Sequence, residues 1–329
     1  MRRLLLLLTA AALVASFALA AVAADDEAIL LRYKFEADTE MVQELSGSGT
    51  IPMTIDLPQQ AGGPKTIETM MRMEMDLVQE CDRVEEDGSG HLIATIPYML
   101  TETTTKADGQ TQFVVMSFED GELVLTVNGE PLDDPNTAKM MASLGKGYKM
   151  TMKPNGETKM DEESTEQISG LLKASGLGGI DFTQLNSLTS RLPENPVKPG
   201  DTWKHEAKVP AGETGEIAAT TETKYVGIEE LEGVRCARLE GKSTLATGGE
   251  MPSADATGTP FQMKVDKMSM EVQFVIYFDL AAGQAAKTVM DITQSMDLRI
   301  VAPGGPNGTQ VEMTGTLDDG EMHIEVVRR

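Results

Sequence analysis

The chain has 329 residues, with 28 Lys and Arg against 52 Asp and Glu and a formal net charge of −24. It has no basic stripe to release counterions from a polyanion, which argues against nucleic acid and against anionic membrane surfaces. Aromatic residues make up 4% and Met occupies 22 positions, one of them the initiator. The core must therefore be built from Val, Ile, Leu and the adaptable side chain of Met.

Met1-Arg2-Arg3 precedes an apolar run that ends in Ala21-Val22-Ala23. A basic start, an apolar middle and small residues at the exit predict a Sec-type signal peptide over 1–23, cut after Ala23. A membrane anchor is the weaker reading, because Asp25, Asp26 and Glu27 follow and the tail of the run is mostly alanine. Cleavage removes two arginines and no acid, giving 26 − 52 = −26 for the mature chain. The expected location is secreted or periplasmic, with no membrane span after cleavage.

The rest reads as two β halves around a connector: 24–160, 161–200 and 201–329. In the first half, 30–35 alternates, with Leu31, Tyr33 and Phe35 on one face and Arg32 and Lys34 on the other. A short strand is expected over 41–45, broken by Gly47-Ser48-Gly49. A loop is expected over 58–64. Residues 67–81 form a long strand in which Met71, Met73 and Met75 alternate with Arg72, Glu74 and Asp76. Residues 85–90 turn the chain, and 91–96 return. Residues 113–118 and 123–127 make a hairpin, with Asn128-Gly129 the strongest short turn signal. A short helical piece follows Asp134-Pro135, then a strand over 149–153 and a turn at Pro154-Asn155-Gly156.

The connector carries the helical patterns. Ser164 with Gln167 fits a capping box, Ile168, Leu171 and Leu172 share a face, and Gly176 closes the helix. A second helix runs from Thr183 through Leu185 and Leu188 to Leu192, where Pro193 stops it. In the second half, strands are expected over 203–209, 216–228, 234–240, 272–278 and 287–300. Residues 248–260 read as a loop. The end reads as a hairpin of 311–316 and 322–327 about Asp318-Asp319-Gly320. Phe113-Val114-Val115-Met116-Ser117-Phe118 resembles Phe274-Val275-Ile276-Tyr277-Phe278, which suggests an internal duplication. The fold class is mainly β: two similar antiparallel halves, curved or half-barrel-like, with short helices between them. Sheets with one apolar face must cover it, either on each other or around the connector helices.

No catalytic constellation emerges. His91, His205 and His323 lie in strand patterns without metal-ligand spacing and read as solvent-facing. Ser89 in Gly88-Ser89-Gly90 joins two strands and lacks the context of a nucleophile elbow. No cofactor is implied. Met71, Met73 and Met75, with the pairs Met150/Met152 and Met268/Met270, have the M-x-M spacing of copper(I) sites, but an inward Met face is also simply core. The candidate apolar ligand site is Met71, Met73, Met75, Ile168, Leu171 and Leu185. Cys81 and Cys236, one in each half, either pair or sit as small buried hydrophobes.

Leu192-Pro193-Glu194-Asn195-Pro196-Val197-Lys198-Pro199-Gly200-Asp201-Thr202-Trp203, the opening Leu31-Arg32-Tyr33-Lys34-Phe35 and Met152-Lys153-Pro154-Asn155-Gly156-Glu157 together resemble a family of uncharacterised secreted bacterial proteins, domain of unknown function 6263. Pro199 stands where that pattern often has a β-branched residue. The resemblance implies export and brings no activity, ligand or catalytic residue. The proline-rich segment reads as a stiff junction, with Trp203 turned inward. The expected role is a non-enzymatic exported β-protein that binds an apolar or amphiphilic molecule. A structural or interaction module with an envelope protein as partner is the alternative, and copper(I) binding a minor one.

Overall fold

The computed structural model describes residues 28–56, 63–119, 121–132, 146–166, 191–211, 215–247, 251–255, 262–302 and 311–329. The leader, most of the loop expected over 58–64, the helical piece expected after Asp134-Pro135 and the connector helices apart from residues 164–166 and 191–192, and with them Ile168, Leu171 and Leu185, lie outside the described residues.

The first half holds β1 (Thr39–Asp56), β2 (Lys65–Val84), β3 (Gly90–Ala107), β4 (Gln110–Glu119), β5 (Glu122–Val127), β6 (Glu130–Pro131), β7 (Tyr148–Met152) and β8 (Thr158–Met160). The second holds β9 (Thr202–Ala211), β10 (Gly215–Leu231), β11 (Val234–Thr247), β12 (Met251–Asp255), β13 (Gln262–Asp279), β14 (Gln284–Ala302) and β15 (Val311–Arg328). Every described pairing is antiparallel, and the sheet is barrel-like. The mainly β, curved antiparallel class read from the sequence is the one observed.

The halves join into one sheet instead of packing as two. Its order is β6-β5-β4-β3-β2-β1-β15-β14-β13-β11-β10-β9, with β12 on β13, and β7 and β8 beside β3. The seam is the pairing of the first long strand with the last, for example Leu45↔Val326 and Gly47↔Ile324. Each half is thus a run of neighbouring hairpins, and the chain begins and ends its sheet at the seam.

Three local expectations fail for the same reason, that pairing with neighbouring strands overrides a turn signal. Gly47-Ser48-Gly49 does not break β1, which runs on between β2 and β15. Asp318-Asp319-Gly320 does not make a hairpin. It is an irregularity within β15, where Asp319 has φ 51° and the registers to β1 and β14 both shift. The glycine-containing loop read at 248–260 includes β12, which pairs β13.

The helix start moves as well. The described helical residues are 162–166, and Asp161 caps them: its Oδ1 accepts from Ser164 N at 2.7 Å and its carbonyl from Thr165 N at 3.0 Å. Those bonds from Ser164 hold the Asp161 carboxyl below its usual range. The Ser164 hydroxyl instead accepts from Lys149 N at 2.8 Å and pins β7.

The opening stretch is an extended strap and not a ladder strand. Its one isolated bridge is Ile29↔Val197. Arg32 donates to Pro193 O and Glu194 O, each at 2.5 Å. Tyr33 N donates to Pro154 O at 2.8 Å, and Leu192 N to Asn155 O at 2.8 Å. Lys34 Nζ reaches Leu280 O and Ala281 O on the β13–β14 turn. The three segments that carry the family resemblance therefore meet at one end of the sheet. Leu31, Leu192 and Val197 are buried there against Tyr225, Leu239 and Phe278, and Tyr33 stands edge-on to Phe278 at 5.4 Å.

Both cysteines are free and buried, Cys81 on β2 and Cys236 on β11. Between those strands lie β1, β15, β14 and β13. At about 4.8 Å per strand the path along the sheet is roughly 24 Å, against a Cα separation below about 7 Å for a disulfide. Burial first, and Asp82 or Asp279 next, push the two thiols above their ordinary pKa. A thiol-reactive chromogenic disulfide at neutral pH should therefore modify neither cysteine in the native protein and both after denaturation. No release of chromophore in denaturant would instead reveal a bridge.

Candidate functional site

Cross-strand partners share a face, so the register identifies the side chains on each side of the sheet. One row runs Phe118–Met99–Met75–Leu45–Val326–Thr288–Ile276–Leu239–Tyr225 from β4 to β10. The next runs Met116–Thr101–Met73–Gly47–Ile324–Met290–Phe274–Gly241–Thr223–Trp203. A third runs Val114–Thr103–Met71–Gly49–Met322–Ile292–Val272–Ser243–Thr221–His205. These rows are apolar along most of their length. They are half-buried or buried throughout.

The opposite face carries charge. Arg72, Lys204, Glu206, Glu222, Lys242, Asp291 and His323 are exposed on it. Lys204 pairs with Glu206 at 2.6 Å, Lys242 with Glu271 at 2.6 Å and His323 with Asp291 at 2.7 Å. The strap and the proline-rich segment cover the apolar face, since Leu31, Leu192 and Val197 pack on Tyr225, Leu239 and Ile276. The apolar face is therefore the inner one.

Met71, Met73 and Met75 all lie on this inner face. Met75 packs on the buried pair Met99 and Phe118, as Met116 does, so it belongs to a small core. Met73 and Met71 stand opposite Gly47 and Gly49 on β1, where a Cβ would meet Ile324 Cγ1 at 3.3 Å and Met322 Cβ at 3.0 Å, so β15 closes over both glycines. Across the seam the ring of Phe274 fills the space over Gly241, where a Cβ would lie 2.2 Å from Phe274 Cζ. The face is thus continuous from Met73 across the seam to Ile324 and Phe274.

The three histidines go to three different places. His323 is exposed on the outer face, as expected. His91 is half-buried and lines a cleft of ≈ 590 Å³ with Arg83, Leu92, Lys149, Thr151 and Asp161. Its Nε2 meets Glu85 Oε1 at 2.6 Å and its Nδ1 lies 3.2 Å from Thr151 Oγ1. Hydroxyl, imidazole and carboxylate in series tie the β2–β3 turn to β7. The cleft walls carry both signs of charge, which suits a polar contact more than an acyl chain.

His205 corrects the reading of solvent-facing histidines, because it lies half-buried on the inner face of β9 beside Trp203. Burial first, then the nearby Arg191 cation, holds its pKa below the ordinary histidine value, which favours the neutral ring. Its neighbour across the ladder, Thr221, is buried and shares a 2.7 Å hydrogen bond with buried Ser243. Sequence reasoning does not find this polar spot, although a signal exists. Thr221 and Thr223 fall in the inward phase with Tyr225, while Glu222 and Lys224 fall outward.

Among the described residues no group of His, Cys, Asp or Glu is arranged to hold a metal ion, and no helix is long and apolar enough to cross a membrane.

No family model matches the chain, and no curated protein does. Among solved structures it is similar to Pseudomonas aeruginosa OccK5 (OpdH), with 7% identity over 89% of this chain and 98% of that chain and a TM-score of 0.16. OccK7 (OpdD) of the same organism gives 8%, 88%, 99% and 0.18. MucB in complex with MucA(peri) gives 10%, 84%, 87% and 0.10. Scores this low carry no argument about ligand or role.

Proposed function

We propose that this chain is an exported, non-enzymatic β-protein that holds an apolar or amphiphilic molecule against the inner face of its sheet. The observation that supports the reading is the continuity of that face, from Phe118 through Met73 and Ile324 to Phe274 and Tyr225, in unbroken register. Thioethers there adapt to acyl chains of differing shape, because Met has three soft torsions and no branch. A membrane-spanning barrel turns its apolar side chains outward to lipid. Here the exposed face carries Arg72, Lys204, Glu222 and Lys242, which fits a protein that keeps water outside and apolar matter inside. The basic–apolar leader supports delivery outside the cytoplasm. The resemblance to the secreted family is proposed on the same footing, supported by the meeting of its three segments at one end of the sheet.

The test is uptake of a fluorescent fatty-acyl probe, read by emission and by native mass spectrometry. The wild-type chain should bind it. Met73→Glu places a charge on the inner face and should weaken binding at least about tenfold, since an unpaired charge is expensive among apolar groups. Arg72→Glu, one residue away on the outer face, should leave binding unchanged. A wild-type protein that takes up no probe, or variants that behave alike, would refute the reading.

A further inference from the structure

We infer that the inner face of β9 holds the head of the bound amphiphile, and that the head is an acyl oxygen, carboxylate or ester carbonyl, taken by Arg191 and His205. The inference rests on the amphiphile reading above and names the chemistry of its polar end.

Two buried polar atoms without a hydrogen-bond partner stand in one neighbourhood here. They are Nε of Arg191 and Nε2 of His205. A buried donor left unmatched is costly and uncommon, so two in one place mark a spot shaped for something further. The neighbourhood is fixed by its surroundings. Trp203 Nε1 donates to Arg191 O at 3.1 Å, which seats the Arg191 backbone over the ring two residues before His205. Arg191 Nη2 pairs with Glu157 at 3.2 Å, which anchors one end of the guanidinium. A guanidinium Nε–H can only donate, and a neutral imidazole can donate through Nε2. With His205 in its Nε2–H tautomer both atoms are donors, and one acceptor oxygen satisfies them together. Trp203 ends the Met73–Phe274 row at the sheet edge and His205 ends the next row, so a chain lying on this face can bring its end to both.

The alternative head, a cation, has the opposite preference built into the rest of the molecule. With a net charge of −24 the protein as a whole attracts cations and repels carboxylates. The sign of the discrimination therefore separates the local site from the overall field.

The experiment compares hexadecanoic acid, its methyl ester and hexadecylamine, each below its aggregation threshold, as competitors of the fluorescent acyl probe at pH 7.5 and moderate salt. The acid and the ester should each bind about tenfold more tightly than the amine, the effect of two hydrogen bonds of ordinary strength. An acid well above its ester assigns the head to a carboxylate on Arg191, and equal binding assigns it to the carbonyl. His205→Leu and Arg191→Met should each shrink the gap. His205→Gln, which carries an amide near the Nε2 position, should restore it. Thermal melting of each variant shows that it is folded, and if Arg191→Met does not fold, the histidine pair decides. Equal binding of all three competitors, or preference for the amine, overturns the head-group site and leaves the acyl-binding reading standing. The head-group site falls equally if the gap survives in both variants, or if water alone occupies the spot and no discrimination appears. Failure of every chain to bind overturns both readings.

Discussion

Replacing Asp279 with alanine should cost about 3–5 kcal/mol of stability, the usual consequence of stranding one member of a buried ion pair. Asp279 closes β13 and is buried. Its Oδ1 accepts from Ala281 N at 2.9 Å and Ala282 N at 3.0 Å, which forms the β13–β14 turn. Its Oδ2 accepts from Arg328 at 2.5 Å. Arg328 is the last residue of β15 and lies opposite Gln43 on β1, so one carboxylate ties a hairpin turn to the seam. Alanine would leave a mostly buried guanidinium and two turn N–H groups without an acceptor. Asparagine keeps an acceptor for the turn and should cost less, which separates the turn from the charge. Urea denaturation of the three proteins gives the measurement, and an alanine variant within about 1 kcal/mol of wild type would overturn the assignment.

The same residue sets part of the acid limit. Burial alone would raise the Asp279 carboxyl, but the bonds from Ala282 N, Arg328 and Ala281 N outweigh it and hold the pKa below its ordinary value. A carboxyl depressed in the folded state stabilises the fold above its unfolded pKa of about 3.9. That contribution is lost as pH falls through the lower folded value. Stability of wild type should therefore fall more steeply below about pH 4 than that of Asp279→Asn.

The second large effect is expected at the seam. A Cβ on Gly49 would lie 2.4 Å from Glu321 O and 3.0 Å from Met322 Cα, both backbone atoms of β15. Backbone cannot swing aside as a long side chain can, so the two strands must separate. Gly49→Val should cost about 3 kcal/mol, at the upper end of overpacking effects. The neighbouring Ser48→Ala, exposed on the outer face, should change stability by less than about 0.5 kcal/mol. Thermal melting of the pair is the measurement. A valine variant that melts with wild type would show that the seam is not this tight.

Gly49 also shows how far local rules reach. Gly47-Ser48-Gly49 looks like a chain break to any of them, since glycine weakens strands. It marks a close approach between the first and last strands, a reason visible only once β15 is in place. Asp318-Asp319-Gly320 is the same lesson at the partner strand. At residue 164 the local rule chooses the wrong side chain: the Asp161 carboxylate caps the helical turn, and the Ser164 hydroxyl is taken by the neighbouring strand β7. Leu31 to Phe35 has the alternation of a strand but serves as a strap, because its hydrogen bonds go to Pro154, Gly283 and Pro193 in place of a ladder partner. Of the candidate ligand residues, Met71, Met73 and Met75 are legible by phase. His205 and Arg191 are not, because they approach each other from opposite ends of the proline-rich segment.

Residue order alone dictates which side chains share a face and where most hairpins turn. Alternation at period 2 is a property of the local backbone, so Met73 and Arg72 had to part company whatever the fold. That β1 pairs β15, that the apolar face is the inner one, and which segments cover it are settled by contacts in three dimensions. The reason is that strand edges offer the same N–H and C=O groups to any partner. Which edges meet depends on close packing at residues such as Gly49 and on bonds such as Asp279–Arg328, between groups far apart along the chain.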